Sequence, residues 1–104
     1  MITFNNLAFV RHPEAATLSV FRKAIQAVIL FDNGYGVSVV TGAEGLYGNV
    51  EEETYEVAAI KGTSLKWELV YPKGTSFEMD VLGYKTPEEI TELMAELQKL
   101  PSCN

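Results

Sequence analysis

The clearest periodicity lies near the C-terminus, where Ile90, Leu93, Met94, Leu97 and Leu100 recur at three- and four-residue spacing while Glu88, Glu92, Glu96 and Lys99 fall outside the stripe. Such spacing puts the apolar side chains on one face of a helix. Just upstream, Thr86-Pro87-Glu88-Glu89 supplies a capping hydroxyl, a proline at the first helical position and a carboxylate three residues after the cap, which together mark a helix start. Pro101 bars continuation. A helix over about residues 87–100 is predicted, its acid-rich first turn set at the positive end of the helix dipole.

Elsewhere the period is two. Residues 23–31 and 35–41 are β-rich runs on either side of Asp32-Asn33-Gly34, a turn in which Asn and Gly accept positive φ, so a hairpin is predicted. A second pair follows. Tyr55, Val57 and Ala59 share one face of residues 54–61, Gly62-Thr63-Ser64 makes the turn, and Leu65, Trp67, Leu69 and Tyr71 alternate with Lys66, Glu68 and Val70. Leu7 to Val10 reads as a short strand ended by His12-Pro13, and Val81-Leu82 as a last short strand or the approach to the helix. Residues 14–22 fit either period: Leu18, Phe21, Ile25 and Val28 make a helical stripe, whereas Phe21, Ile25, Ala27, Ile29 and Phe31 make a strand face. The apolar run into the hairpin turn favours strand from about residue 20. The longest irregular stretch is 42–53.

These elements predict a single α+β domain over residues 1–104 with a frayed tail at 101–104. It has an antiparallel sheet of four to six strands and one C-terminal helix packed on one face, where Tyr55, Val57, Trp67 and Leu69 meet Ile90, Leu93, Met94 and Leu97. The composition agrees. At 104 residues, 47% apolar and 21% charged, the chain can bury a real core and is not a low-complexity or disordered sequence. A lone cysteine, Cys103, forms no internal disulfide and no Cys-rich zinc cluster, which fits a reducing compartment. With no signal-like N-terminus and no apolar run long enough to span a bilayer, a cytoplasmic location without membrane contact is expected.

Charge narrows the partners. The net charge is −6; residues 1–31 carry three bases against one acid, and residues 32–104 carry 13 acids against five bases. A surface of that sign repels phosphate backbones, so direct nucleic-acid binding is not expected. The densest cluster is Glu51-Glu52-Glu53. It reads either as a solvated loop that keeps a sheet edge from pairing or as an acidic recognition patch for a basic protein surface. Three adjacent glutamates cannot all converge on one ion, so no metal is expected, and no sequence motif implies a cofactor. Thr41 to Gly48 has three glycines at three-residue spacing but leads into an anionic stretch, unlike a phosphate-binding loop. His12 is the only histidine and has no neighbouring nucleophile in sequence. Tyr35, Tyr47 and Tyr84 lie in or beside turns, as lids over the core or as anchors at an interface.

Four segments in fixed order, Asn33-Gly34-Tyr35-Gly36-Val37-Ser38-Val39-Val40, Gly45-Leu46-Tyr47-Gly48, Tyr55-Glu56-Val57-Ala58-Ala59-Ile60 and Asp80-Val81-Leu82-Gly83-Tyr84, lead into the Thr86-Pro87-Glu88-Glu89 helix start. Together they resemble small proteins encoded by bacteriophages and prophages, over about residues 31–100. The resemblance implies a phage origin, hence a host-cell cytoplasm, and a compact α+β domain; it carries no activity and no catalytic residues. The expected function is non-enzymatic binding to a host protein, as an inhibitor or modulator of the kind phages use against host defences. Tyr35, Tyr47, Glu51, Glu52 and Glu53 are the candidate interface. The alternative is a structural or assembly protein that forms homo-oligomers. A carboxylate-based enzyme using Asp32, Asp80 or Glu56 is a third class, since residues distant in sequence can converge in space.

Overall fold

The computed structural model describes residues 1–14, 23–42 and 52–102. Among these residues six strands make one antiparallel sheet: β1 (Val10–Arg11), β2 (Ile25–Leu30), β3 (Tyr35–Thr41), β4 (Tyr55–Gly62), β5 (Trp67–Leu69) and β6 (Leu82–Lys85). They run in the order β1-β2-β3-β4-β5, and β6 also pairs with β4. The one α-helix among the described residues, α1 (Pro87–Gln98), packs across one face. The α+β architecture expected from the sequence is the one observed.

The helix begins where its cap dictates. The Glu89 N–H donates to Thr86 Oγ1 at 3.3 Å, and the Thr86 N–H donates back to Glu89 Oε1 at 3.0 Å, a reciprocal capping box with Pro87 in the first turn. It ends two residues earlier than predicted, at Gln98. There the β2–β3 turn reaches in: Asn33 Nδ2 donates to the Leu97 carbonyl at 2.8 Å and the Leu100 carbonyl at 3.0 Å. The Leu97 carbonyl also accepts from the Leu100 N–H at 3.2 Å, so the turn side chain adds a second donor there and caps the Leu100 carbonyl beyond the helix end. The N-terminal segment is tied to the same helix. Gln98 accepts from the Ile2 N–H at 3.0 Å and donates to its carbonyl at 2.7 Å, and Thr91 Oγ1 accepts from the Phe4 N–H at 3.1 Å.

Strand registers define two faces. Ala27, Val39 and Val57 lie in one cross-strand row, Ile29, Val37 and Ala59 in the next. With Ile90, Leu93, Met94 and Leu97 of α1 they form the core, and small Ala27 and Ala59 sit among the branched residues. Phe77, from the connection between β5 and β6, is fully buried in the same cluster. No periodic pattern announced it.

Four expectations are corrected. The second hairpin turns at Ser64-Leu65, because Thr63 and Lys66 exchange both backbone hydrogen bonds, so Gly62 pairs with Trp67 and Ile60 with Leu69. Gly62 itself has φ of +136°, and a Cβ there would run into the Lys66 carbonyl, so the strand can bend only with glycine. An odd shift in register exchanges the faces of a strand. Trp67 and Leu69 therefore lie on the face away from the helix, Val70 packs on the core instead, and Leu65 is 97% exposed. Second, β1 covers Val10–Arg11 rather than 7–10, since Leu7 and Phe9 leave the sheet edge to pack on the core. Third, the last strand covers Leu82–Lys85 rather than 81–82. Fourth, β2 starts at Ile25 rather than near residue 20, with Lys23 in a turn; the helix-or-strand question for 15–22 lies outside the described residues.

Candidate protein interface

The pairing of β4 with β6 contains an irregularity that presents a side chain. Tyr55 pairs with Lys85 and Val57 with Leu82, so Gly83 and Tyr84 occupy a stretch opposite one residue of β4, a β-bulge. Tyr84 takes φ of +53° there. That conformation is rare for a bulky side chain, because its Cβ crowds the following carbonyl. The residue is 60% exposed. Strain held at a surface bulge re-aims a side chain, here a large amphipathic one.

Carboxylates surround the same end of the sheet. Glu52 and Glu53 are exposed immediately before β4, and Glu53 also has positive φ, +53°. Beneath them, Tyr55 closes an aromatic triangle with Phe4 and Phe9, ring centroids 5.3 and 5.4 Å away. Burial, and then the Glu53 carboxylate, raise the Tyr55 phenol above its ordinary 10.0. On the outer side of α1, Glu89, Glu92 and Glu96 line a groove of about 370 Å³ with Lys85 and Ser76. Lys85 Nζ stands 3.8 Å from Glu89 Oε2, and Glu96 Oε1 accepts from the Ser76 N–H at 3.2 Å. The Thr86 backbone N–H, opposed by partial desolvation and aided by the Thr86 hydroxyl and Lys85, holds the Glu89 carboxyl below its ordinary 4.5.

Of the residues selected from sequence, Glu52 and Glu53 fall in this region, while Tyr47 and Glu51 lie outside the described residues. Tyr35 does not join them. It opens β3, whose other end, Thr41, leads toward the acidic stretch, and six residue steps in a strand span roughly 20 Å. Tyr35 is half-buried and packs on the core, so it is a lid. Tyr84, weighed with it as lid or anchor, is the exposed member; a Gly-Tyr pair before a helix cap was the sequence signal.

The carboxylates weighed for catalysis are spread out. Asp32 is in the β2–β3 turn and Asp80 is exposed before β6, while Glu56 is in β4. Glu56 shares a groove of about 220 Å³ with His12 and Ser38 on the sheet face away from the helix. His12 stands beyond β1 and Glu56 in β4, three strand spacings apart, roughly 14 Å between backbones. Ser38 Oγ accepts from Gln26 Nε2 at 2.9 Å, and His12 Nδ1 accepts from the Glu14 N–H at 3.1 Å. Among the described residues no three His, Cys, Asp or Glu side chains gather where they could hold a metal ion, and no helix is long and apolar enough to cross a membrane. No family model, curated protein or solved structure matches the chain.

Proposed function

We propose that the protein is a small acidic, phage-encoded binding protein that acts on a host protein without chemistry of its own, as an inhibitor or modulator. The observation that carries this reading is Tyr84, exposed and held in a left-handed bulge at the end of the sheet where Glu52 and Glu53 also lie. A tyrosine fixed by the backbone loses little entropy on binding, and flanking carboxylates steer it toward a basic surface. The phage origin rests on the sequence resemblance. Acting in the host cytoplasm follows from that origin.

The test uses the full chain as bait in a bacterial host lysate, followed by association and dissociation rates with the captured protein. Tyr84→Ala should mainly speed dissociation, and the pair Glu52→Gln and Glu53→Gln should mainly slow association and flatten its salt dependence. Adding Tyr47→Ala and Glu51→Gln extends the same comparison through the loop. Rates unchanged in every folded variant would overturn this assignment of the interface.

A further inference from the structure

One edge of the sheet is built like a pairing surface. The strand β2 runs Ile25-Gln26-Ala27-Val28-Ile29-Leu30 with no charge, proline or glycine, the devices that normally keep an edge from recruiting another strand. Its neighbour β1 covers only Ile25 and Gln26, after which the chain departs through Phe9 to the aromatic cluster. Among the described residues no strand pairs with Ala27 to Leu30 on that side.

The direction of the open backbone groups follows from two hydrogen bonds. The His12 N–H donates to the Ala24 carbonyl, toward β1, and the Phe31 N–H donates to the Tyr35 carbonyl, toward β3. Alternation along a strand then points the N–H and C=O of Val28 and Leu30 outward and those of Ala27 and Ile29 inward. An incoming strand can use Val28 and Leu30 only.

We infer that β2 pairs antiparallel with β2 of a second copy across a twofold axis at Ile29. In that register Val28 of each copy faces Leu30 of the other, and the four outward groups on each side are matched in four backbone hydrogen bonds. An axis at Val28 would set Leu30 against Gln26, whose edge β1 already occupies. The faces also agree: Val28 and Leu30 share the sheet face away from the helix, so apolar side chains meet apolar ones. A self-matching edge generates a closed dimer. This dimer uses a different part of the molecule from the Tyr84 interface and stands or falls separately from it.

Sedimentation equilibrium from about 10 μM to 1 mM tests it, the contact being small enough for a dissociation constant on the order of 100 μM. The parent should pass from 11.5 kDa to twice that mass. Val28→Pro removes an N–H that no described residue of the monomer accepts on this edge, and with it two of the four bonds of the dimer. Val28→Lys leaves the backbone intact and sets two lysines on one cross-strand diagonal. Each should weaken association about tenfold or more with an unchanged circular dichroism spectrum; if Val28→Pro fails to fold, Val28→Lys decides. A parent that stays monomeric to about 1 mM overturns the proposal, as does a dimer that the folded variants do not weaken. Loss of heterologous capture in Val28→Pro with a monomeric parent would assign the edge to another chain and overturn it equally.

Discussion

Tyr84 carries the conflict between local conformation and residue type in this protein. A left-handed backbone with a Cβ costs about 1–2 kcal/mol relative to a residue without one, and sequence selection has not put glycine there although Gly83 is adjacent. Tyr84→Gly should therefore raise the free energy of unfolding, by up to about 1 kcal/mol after the added freedom of the unfolded chain is counted, while weakening capture of the binding partner. A denaturant melt beside a binding measurement checks both directions; destabilisation with intact binding would make the ring structural. Glu89 supplies a second residue-scale expectation. Its carboxyl ionises below the ordinary 4.5 in the folded state, chiefly through the Thr86 backbone N–H. The stability it contributes is thus present above that ordinary value and lost as pH falls through the folded value. The melting-temperature difference between parent and Glu89→Gln should be largest near neutral pH and should shrink as pH falls below the ordinary 4.5.

At the scale of elements, the order of strands and the helix could be read wherever one residue pattern had one meaning. The Thr86 cap, the stripe from Ile90 to Leu97 and the Asn33-Gly34 turn each combine a periodicity with its own terminator, and each appears where expected. The second hairpin turns later than its alternation predicts because Gly62, Thr63, Ser64 and the following residues all tolerate a turn, and alternation alone does not say which pair forms its apex. The same alternation fits Trp67 and Leu69 facing the helix or facing away. Phe77 escaped because it reaches the core from an irregular segment, and Tyr84 could be placed at a turn but not on a bulge, since bulge geometry depends on pairing with β4. Two substitutions measure the corrected register. Leu97→Ala removes a fully buried side chain of α1 and should cost about 2–5 kcal/mol. Leu65→Ser, at a turn apex 97% exposed, should change stability by less than about 0.5 kcal/mol. Equal losses in urea melts would mean that β5 faces the helix after all.

At the scale of the whole molecule, charge separates the two surfaces the structure offers. Two copies at −6 each repel at long range, and the β2 edge, which carries no charged side chain, brings them together without facing carboxylates across the paired strands. A host partner recognised through Glu52, Glu53 and Tyr84 would instead present positive charge. Salt acts oppositely on these cases, because screening relieves repulsion between like bodies and weakens attraction between unlike ones over distances of about 10 Å at 0.1 M. Raising sodium chloride from about 20 to 300 mM, which carries the Debye length across the spacing of surface charges, should therefore tighten self-association. The same change should slow association with a basic partner while leaving its dissociation nearly constant. Both can be followed on one preparation, by sedimentation for the first and surface-based kinetics for the second. Salt that weakens the dimer would place ion pairs, not backbone pairing at Val28 and Leu30, at the centre of that contact. A partner whose association rate ignores salt would remove Glu52 and Glu53 from recognition and leave Tyr84 to be tested alone.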